Sequence, residues 1–239
     1  MQRLDLTLNA PEENLALDEV LLEWCEQRNI GPILRFWESP RYFVVLGHSN
    51  KIQMEVKVTS CQADSVPILR RISGGGTVLQ GPGCLNYALI LPLDYAAQLG
   101  TISETTCFIM KTHKNALTTL LSEIAVSGVS DLTYKGLKFS GNAQRRQRRY
   151  LLFHGTFLTS FDLSLIEKYL SLPSIQPEYR RNREHRHFLT SLPLSSDILK
   201  ERLIETWKAT DALSISYPGD MMDAFLANRY SQESWHSKF

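Results

Sequence analysis

The 239-residue chain has room for one large domain or two small ones, and 43% apolar with 21% charged residues is ordinary for a soluble globular protein with a sizeable core. Its 26 basic and 25 acidic residues leave a net charge of +1, which excludes a global field that would recruit nucleic acid or an anionic membrane. No apolar run approaches the roughly 20 residues of a membrane span. The opening "MQRLDLTLNAPEEN" has no signal-like apolar core, and Cys25, Cys61, Cys84 and Cys107 form no CxxC, so a reduced, cytoplasmic chain is expected.

Helix signals come first, over "NAPEENLALDEVLLEWCEQRN": Asn9 as a cap, Pro11 early, Glu12 and Glu13 in the first turn, and Leu17, Val20, Leu21 and Trp24 at helical spacing. "ILRFWES" and "YFVVLGH" read as strands flanking a turn at Ser39-Pro40. "VPILRRIS" and "CLNYALILPL" are further strands on either side of a glycine stretch. A helix is predicted over "SETTCFIMKTHKNALTTLLSEIA", then a hairpin over "SDLTYKGLKFSGNAQ" with Gly136 at its turn, then the strand "YLLFHGTFL". Ser195, Ser196 and Asp197 offer caps for a last helix carrying Leu199, Leu203 and Trp207 on one face. Runs of strands with occasional helices predict an α+β domain with a mixed sheet, spanning 1–239 as one unit.

Two stretches carry chemistry. "RRISGGGTVL" sets three glycines after Arg70 and Arg71, and a glycine backbone with exposed N–H groups beside cations suits an anion such as phosphate or carboxylate. The glycines are contiguous and a strand follows them where the dinucleotide fingerprint requires a helix, which argues against that fingerprint. A plain hairpin turn with incidental arginines is the competing reading. In "YKGLKFSGNAQRRQRRYLLFHGTFL", Lys138 leads into the Ser140-Gly141 turn and His154, Gly155 and Thr156 lie on the next strand.

Together, "RRISGGG" and "KFSGNAQ" closely resemble the lipoate–protein ligase A family, and "NLALDEVLL", "ILRFWESPRYFVVLGHSNKIQMEV" and "FHGTFL" agree along nearly the whole chain. The resemblance implies a class II synthetase-like biotinyl/lipoyl ligase fold. It also implies activation of lipoate with ATP as lipoyl-adenylate (lipoyl-AMP), normally with Mg2+, and transfer of the acyl group to a lysine. The acceptors would be lipoyl domains of 2-oxoacid dehydrogenase complexes or a glycine-cleavage H protein. Lys138 would be catalytic, contacting acyl carbonyl and phosphate. Arg71, Ser73, Gly74, Gly75, Gly76, Thr77, Val78 and Leu79 would bind the adenylate with Asn86, Ser140, Gly141, Ala143, His154, Gly155 and Thr156. No protein metal site is implied.

Other readings stay open at this point. His154 also reads as a hydrogen-bonded structural histidine, and Phe36, Trp37, Val44, Val45 and Leu89 as either an acyl tunnel or plain core. Relatives that transfer octanoate without ATP use a cysteine; the matching positions here hold Leu151 and the cysteine-free "VSGVSD", and Cys84 reads as a small packed residue. Biotin ligases typically carry "GRGR" where this chain has "RISGGG". "RYSQESWHSKF" resembles the segment where many of these ligases begin an accessory domain, so a catalytic domain without it, served by a separate accessory protein, is expected. The runs "RRQRR" (145–149) and "RRNREHRH" (180–187) read as solvated surface or as a dock for an acidic lipoyl domain. A nucleic-acid-binding module or a catalytically silent scaffold fits less well, given the balanced charge and the retained Lys138 and glycines.

Overall fold

A computed structural model describes residues 1–213 and 216–239. Its elements begin with β1 (Gln2–Asp5), α1 (Pro11–Arg28), β2 (Ile33–Trp37), β3 (Phe43–Leu46), α2 (Ile52–Glu55), α3 (Val58–Ala63), β4 (Ile68–Arg70), β5 (Val78–Gln80) and β6 (Cys84–Pro92). After α4 (Ile102–Thr118) come β7 (Ile124–Ser127), β8 (Asp131–Tyr134), β9 (Leu137–Ser140), β10 (Asn142–Arg146) and β11 (Tyr150–Leu158). The chain closes with α5 (Ser164–Tyr169), α6 (Ser196–Trp207), β12 (Asp211–Ala212), α7 (Gly219–Phe225) and α8 (Glu233–His236). No helix among the described residues is long and apolar enough to cross a membrane.

The main sheet runs β10-β11-β6-β2-β1-β12, antiparallel as far as β2 and parallel beyond it, so the expected mixed α+β sheet is present. Strand alternation divides its two faces. Leu34 and Phe36 of β2, Leu85, Tyr87 and Leu89 of β6, and Leu151 and Phe153 of β11 pack under α4 and α6. Ile33 and Trp37, Ala88 and Ile90, and Tyr150 and Leu152 point the other way, against α1 and the C-terminal helices. Two three-stranded sheets flank this frame: β4-β3-β5, which carries the glycine stretch, and β7-β8-β9, which carries Lys138.

Two boundaries differ from the sequence reading. The cap of α1 is Ala10 rather than Asn9: its N–H is taken by the Glu13 carboxylate at 3.1 Å, and Pro11 begins the helix without needing a donor. Helix α4 starts from the Thr101 cap and ends at Thr118, with "SEIA" turning into β7. The strands foreseen at "YFVVLGH" and "VPILRRIS" are present and build the small sheet, where β3 pairs with β4 and β5. Ser195 caps α6 as expected, and Gly136, with φ of +76°, sits with Lys135 at the hairpin turn.

Candidate active site

The glycine stretch is shaped by what lies behind it. Gly75 has φ of +89°, and a Cβ there would come within 3.0 Å of an Arg71 nitrogen. A Cβ on Gly47, at the end of β3, would sit 2.1 Å from the Gly75 carbonyl oxygen, so two bare backbones touch where "VVLGH" meets "SGGG". Asn50 Oδ1 fastens the contact by accepting from Gly47 N at 2.7 Å and Thr77 Oγ at 3.3 Å.

The two arginines part company here, because successive residues of a strand face opposite ways. The Arg70 guanidinium is fully buried and donates to the carbonyls of Gly47, His48 and Asn50 and to those of Trp235 and His236, which tie the C-terminal segment to β4. It is not available to an anion, which corrects the pairing expected of Arg70 and Arg71. Arg71 donates to the Gly74 carbonyl at 2.6 Å and the Gly76 carbonyl at 2.9 Å and lines the cavity in front of the loop. Burial pulls its guanidinium down to about 10, still a cation at neutral pH.

Beneath the loop runs a buried polar chain. Arg71 Nε donates to Ser73 Oγ at 3.0 Å, Ser73 Oγ lies 2.6 Å from His154 Nε2, and His154 Nδ1 lies 3.1 Å from Asp18 Oδ2. The other oxygen of Asp18 accepts from Arg35 Nη1 at 2.6 Å. With Nδ1–H donating to the carboxylate, His154 Nε2 accepts the Ser73 hydroxyl proton. Burial alone would raise Asp18, but the Arg35 charge and the His154 ring outweigh it and hold the carboxyl below the usual range. The connectivity is that of an acyl-transfer triad, yet Ser73 is fully buried and forms no part of the cavity wall. These groups pin the loop, and His154 has the hydrogen-bond partners of a structural histidine while also lining the cavity.

The loop faces a cavity of about 470 Å³. Arg71, Gly75, Gly76, Thr77, Val78, Leu79 and Asn86 line it on one side, and Lys138, Ser140, Gly141, Ala143, His154, Gly155 and Thr156 continue the wall. Ser73 lies behind this lining and Gly74 is exposed outside it, so neither reaches the cavity. Of the proposed tunnel residues, Trp37 and Val45 line it; Phe36 and Leu89 belong to the core under α4, and Val44 to the core of the small sheet. Two glycines make room for neighbours. A Cβ on Gly155 would collide with the Asn142 side chain paired opposite it, and one on Gly141 would sit 3.2 Å from Lys138 Nζ.

The far wall was not foreseen. Residues between α5 and α6 close over it, with Pro173, Ile175, Arg180, His185 and Phe188 among the lining. The run "RRNREHRH" is therefore only partly solvated: Arg181 and Arg186 are exposed, but Arg180 is buried, its guanidinium 4.5 Å over the Phe188 ring. Arg180 donates to the Arg183 carbonyl and lies 3.3 Å from His185 Nδ1, and it forms no ion pair among the described residues. Lys138, by contrast, pairs with Asp131 at 2.8 Å. In "RRQRR", Arg145 and Arg148 are exposed, whereas Arg146 is spent on the Leu99 and Gly100 carbonyls and Thr105, anchoring the start of α4. A polar, charged stretch carries no periodicity that would mark Arg180 as buried; only the adjacent aromatic Phe188 hinted at a partner.

Three cations, Arg71, Lys138 and Arg180, thus face one cavity with apolar surface from Trp37, Val45 and Leu79, a combination suited to an amphiphilic anion. The carboxylates in its wall, Asp18 and Asp131, are committed to Arg35 and Lys138, and no group of three or more metal-ligand side chains occurs among the described residues. Cys84 is buried outside the lining, and burial, reinforced by Glu38, pushes its thiol far above the ordinary range.

Residues 10–208 match the family described as the lipoyl protein ligase A/B catalytic domain. The chain belongs to that family. It is 30% identical over 216 residues to a putative lipoate-protein ligase A of Aeropyrum pernix, covering 89% of this chain and 76% of that one. It is also 30% identical over 214 residues to the octanoyltransferase LipM of Carboxydothermus hydrogenoformans, covering 80% and 79%. The chain spans 47% of a probable lipoate-protein ligase A of Mycoplasma genitalium. Two solved structures share the fold at a TM-score of 0.81 and 21% identity. One is a bi-partite lipoate protein ligase of Thermoplasma acidophilum (99% of this chain, 95% of that one), the other a lipoate-protein ligase A bound with ATP (99% and 98%). This chain is accordingly an enzyme of the lipoate ligase and octanoyltransferase kind.

Proposed function

We propose that the protein transfers a lipoyl group from lipoyl-adenylate to the lysine amine of a lipoyl-domain acceptor. One observation carries the reading: the Lys138 ammonium stands in the wall of a cavity whose other side is the glycine loop, and no cysteine lines that cavity among the described residues. Bound adenylate supplies an activated acyl carbonyl with AMP as its leaving group. Lys138 faces the charge that grows on the carbonyl oxygen and phosphate as the C–O bond breaks and the amide C–N bond forms, so its interaction is strongest in the transition state. Arg71 and the loop N–H groups orient the phosphate, Arg180 adds a second cation from the far wall, and Trp37, Val45 and Leu79 take the acyl chain. Magnesium, where ATP is used, would be carried by the nucleotide phosphates, since the carboxylates of this wall are already paired.

Support for ATP as the source of the adenylate comes from the same-fold ligase bound with ATP, and support for a lipoyl-domain acceptor from the Thermoplasma ligase, described together with its E2 lipoyl domain. The similarity to an octanoyltransferase favours one alternative, transfer from an octanoyl-carrier protein without ATP. Intact-mass analysis of an apo lipoyl domain separates them. The protein is incubated with lipoate and Mg-ATP, with synthetic lipoyl-adenylate, or with octanoyl-carrier protein. A lipoyl mass gain with the adenylate is expected; a gain in the first tube as well adds the activation step. Modification only from octanoyl-carrier protein would overturn the proposal.

A further inference from the structure

Lys138 is gripped twice by the far wall. Its N–H donates to the Phe188 carbonyl at 2.9 Å, and its own carbonyl accepts from Thr190 N at 2.9 Å. Its side chain is held less directly. Asp131, on the neighbouring strand β8, takes Lys138 Nζ at 2.8 Å on one carboxylate oxygen and the Tyr179 hydroxyl at 2.7 Å on the other. Tyr179 belongs to the segment between α5 and α6, 48 residues from Asp131. Its ring lies 5.1 Å from that of Phe188 and packs on Gly128, where a Cβ would come within 3.2 Å of it. Burial, and then the Asp131 charge, push the phenol well above its ordinary value, so it stays a donor.

An ammonium on a four-carbon stem has three donors and many rotamers. One donor spent on a fixed carboxylate leaves two for a substrate and removes the rotational freedom that would blur them. We propose that Asp131 and Tyr179 are positioning residues for acyl transfer: the Tyr179 hydroxyl fixes Asp131, and Asp131 fixes the Lys138 ammonium so that its free N–H groups face the reacting carbonyl and phosphate. This rests on the role of Lys138 under Proposed function. It also gives the segment between α5 and α6 a task besides walling the cavity, since it orients the catalytic amine through a relay of two side chains.

Tyr179→Phe keeps the ring packing and deletes only the hydroxyl. Transfer from synthetic lipoyl-adenylate to an apo lipoyl domain is followed for wild type, Tyr179→Phe, Asp131→Asn and the double variant, with thermal midpoints measured alongside. Tyr179→Phe should lower kcat about tenfold while KM for the adenylate stays within about twofold. Asp131→Asn should fall further, and the double variant no further than Asp131→Asn, because both act through one chain of contacts. Wild-type kcat in Tyr179→Phe, or losses that multiply in the double variant, would overturn the relay. Should Asp131→Asn not fold, the kcat and KM of Tyr179→Phe decide alone. A wild-type protein that transfers nothing from the adenylate would overturn the role of Lys138 itself, whereas an active wild type with an equally active Tyr179→Phe sinks only the relay.

Discussion

The glycine wall, residues 70–79, is held from behind by the buried chain Arg35–Asp18–His154–Ser73–Arg71, whereas the opposite wall hangs Lys138 on Asp131 and on a long segment rich in charged residues. In the first, buried charges and polar groups bonded to one another leave the backbone one arrangement. In the second, Asp131 and Lys138 are partly exposed at their pair. A rigid anion cradle thus faces a cation whose aim depends on neighbours drawn from two separate stretches of chain.

The largest loss should follow from cutting the buried chain. Asp18→Asn leaves the Arg35 guanidinium buried without its carboxylate, and unfolding in urea should register a loss of about 3 to 5 kcal/mol; a loss below about 1 kcal/mol would mean the glycine wall is not held this way. On the other wall, Lys138→Ala should preserve the fold and cost roughly 3 to 4 kcal/mol of barrier, a drop of several hundredfold in transfer from the adenylate. Near-normal turnover would remove Lys138 from the chemistry. Gly47→Ala tests the cradle itself: its new Cβ meets the Gly75 carbonyl oxygen, a backbone atom that can only move by displacing the loop. Transfer should fall on the order of 100-fold, with the far wall undisturbed as judged by an unchanged tyrosine difference spectrum.

The smallest effect sharpens the contrast by testing the shared core under both walls. His113 accepts from Trp207 Nε1 at 2.9 Å inside an aromatic cluster, and burial lowers its pKa to about 3. An unfolded histidine titrates near 6.5, so the unfolded chain binds the extra proton between these values. The neutral ring's contribution is complete above pH 6.5 and declines as pH falls, by about 2 kcal/mol between pH 7 and pH 5. In His113→Gln that share of the pH slope should vanish, while other acid-sensitive groups keep theirs.

How much of this was legible in the sequence follows the same division. Short motifs record short-range demands. In "SGGG" it is Gly75 that needs to be glycine, with a positive φ and the Arg71 guanidinium against it; the glycine of "FHG" faces the Asn142 side chain and that of "KFSG" lies against Lys138 Nζ, so the glycine wall could be located from residue types, whereas the role of Lys138 came from the family resemblance. Periodicity likewise marked α1, α4, α6 and the main strands. What it could not mark was direction. Arg70 and Arg71 are adjacent, and only the pairing of β3 with β4 sends one into a cage of carbonyls and the other to the cavity. Gly47 gave no signal, because its partner lies 28 positions on and the clash is seen only when the two backbones meet. Arg180, Tyr179 and Asp131 are polar residues in ordinary polar company; burial of the first, and the bond between the other two, come from tertiary packing that no local pattern encodes.

The most direct test of the two-walled cavity is hydrogen exchange with a non-hydrolysable sulfamoyl analogue of lipoyl-adenylate. Slowed exchange is expected in two separate places, amides 74–78 of the glycine wall and amides 138–143 with 180–190 of the opposite one, and nowhere of similar size in the core under α4. Protection confined to one wall, or found at neither, would contradict an adenylate held between them.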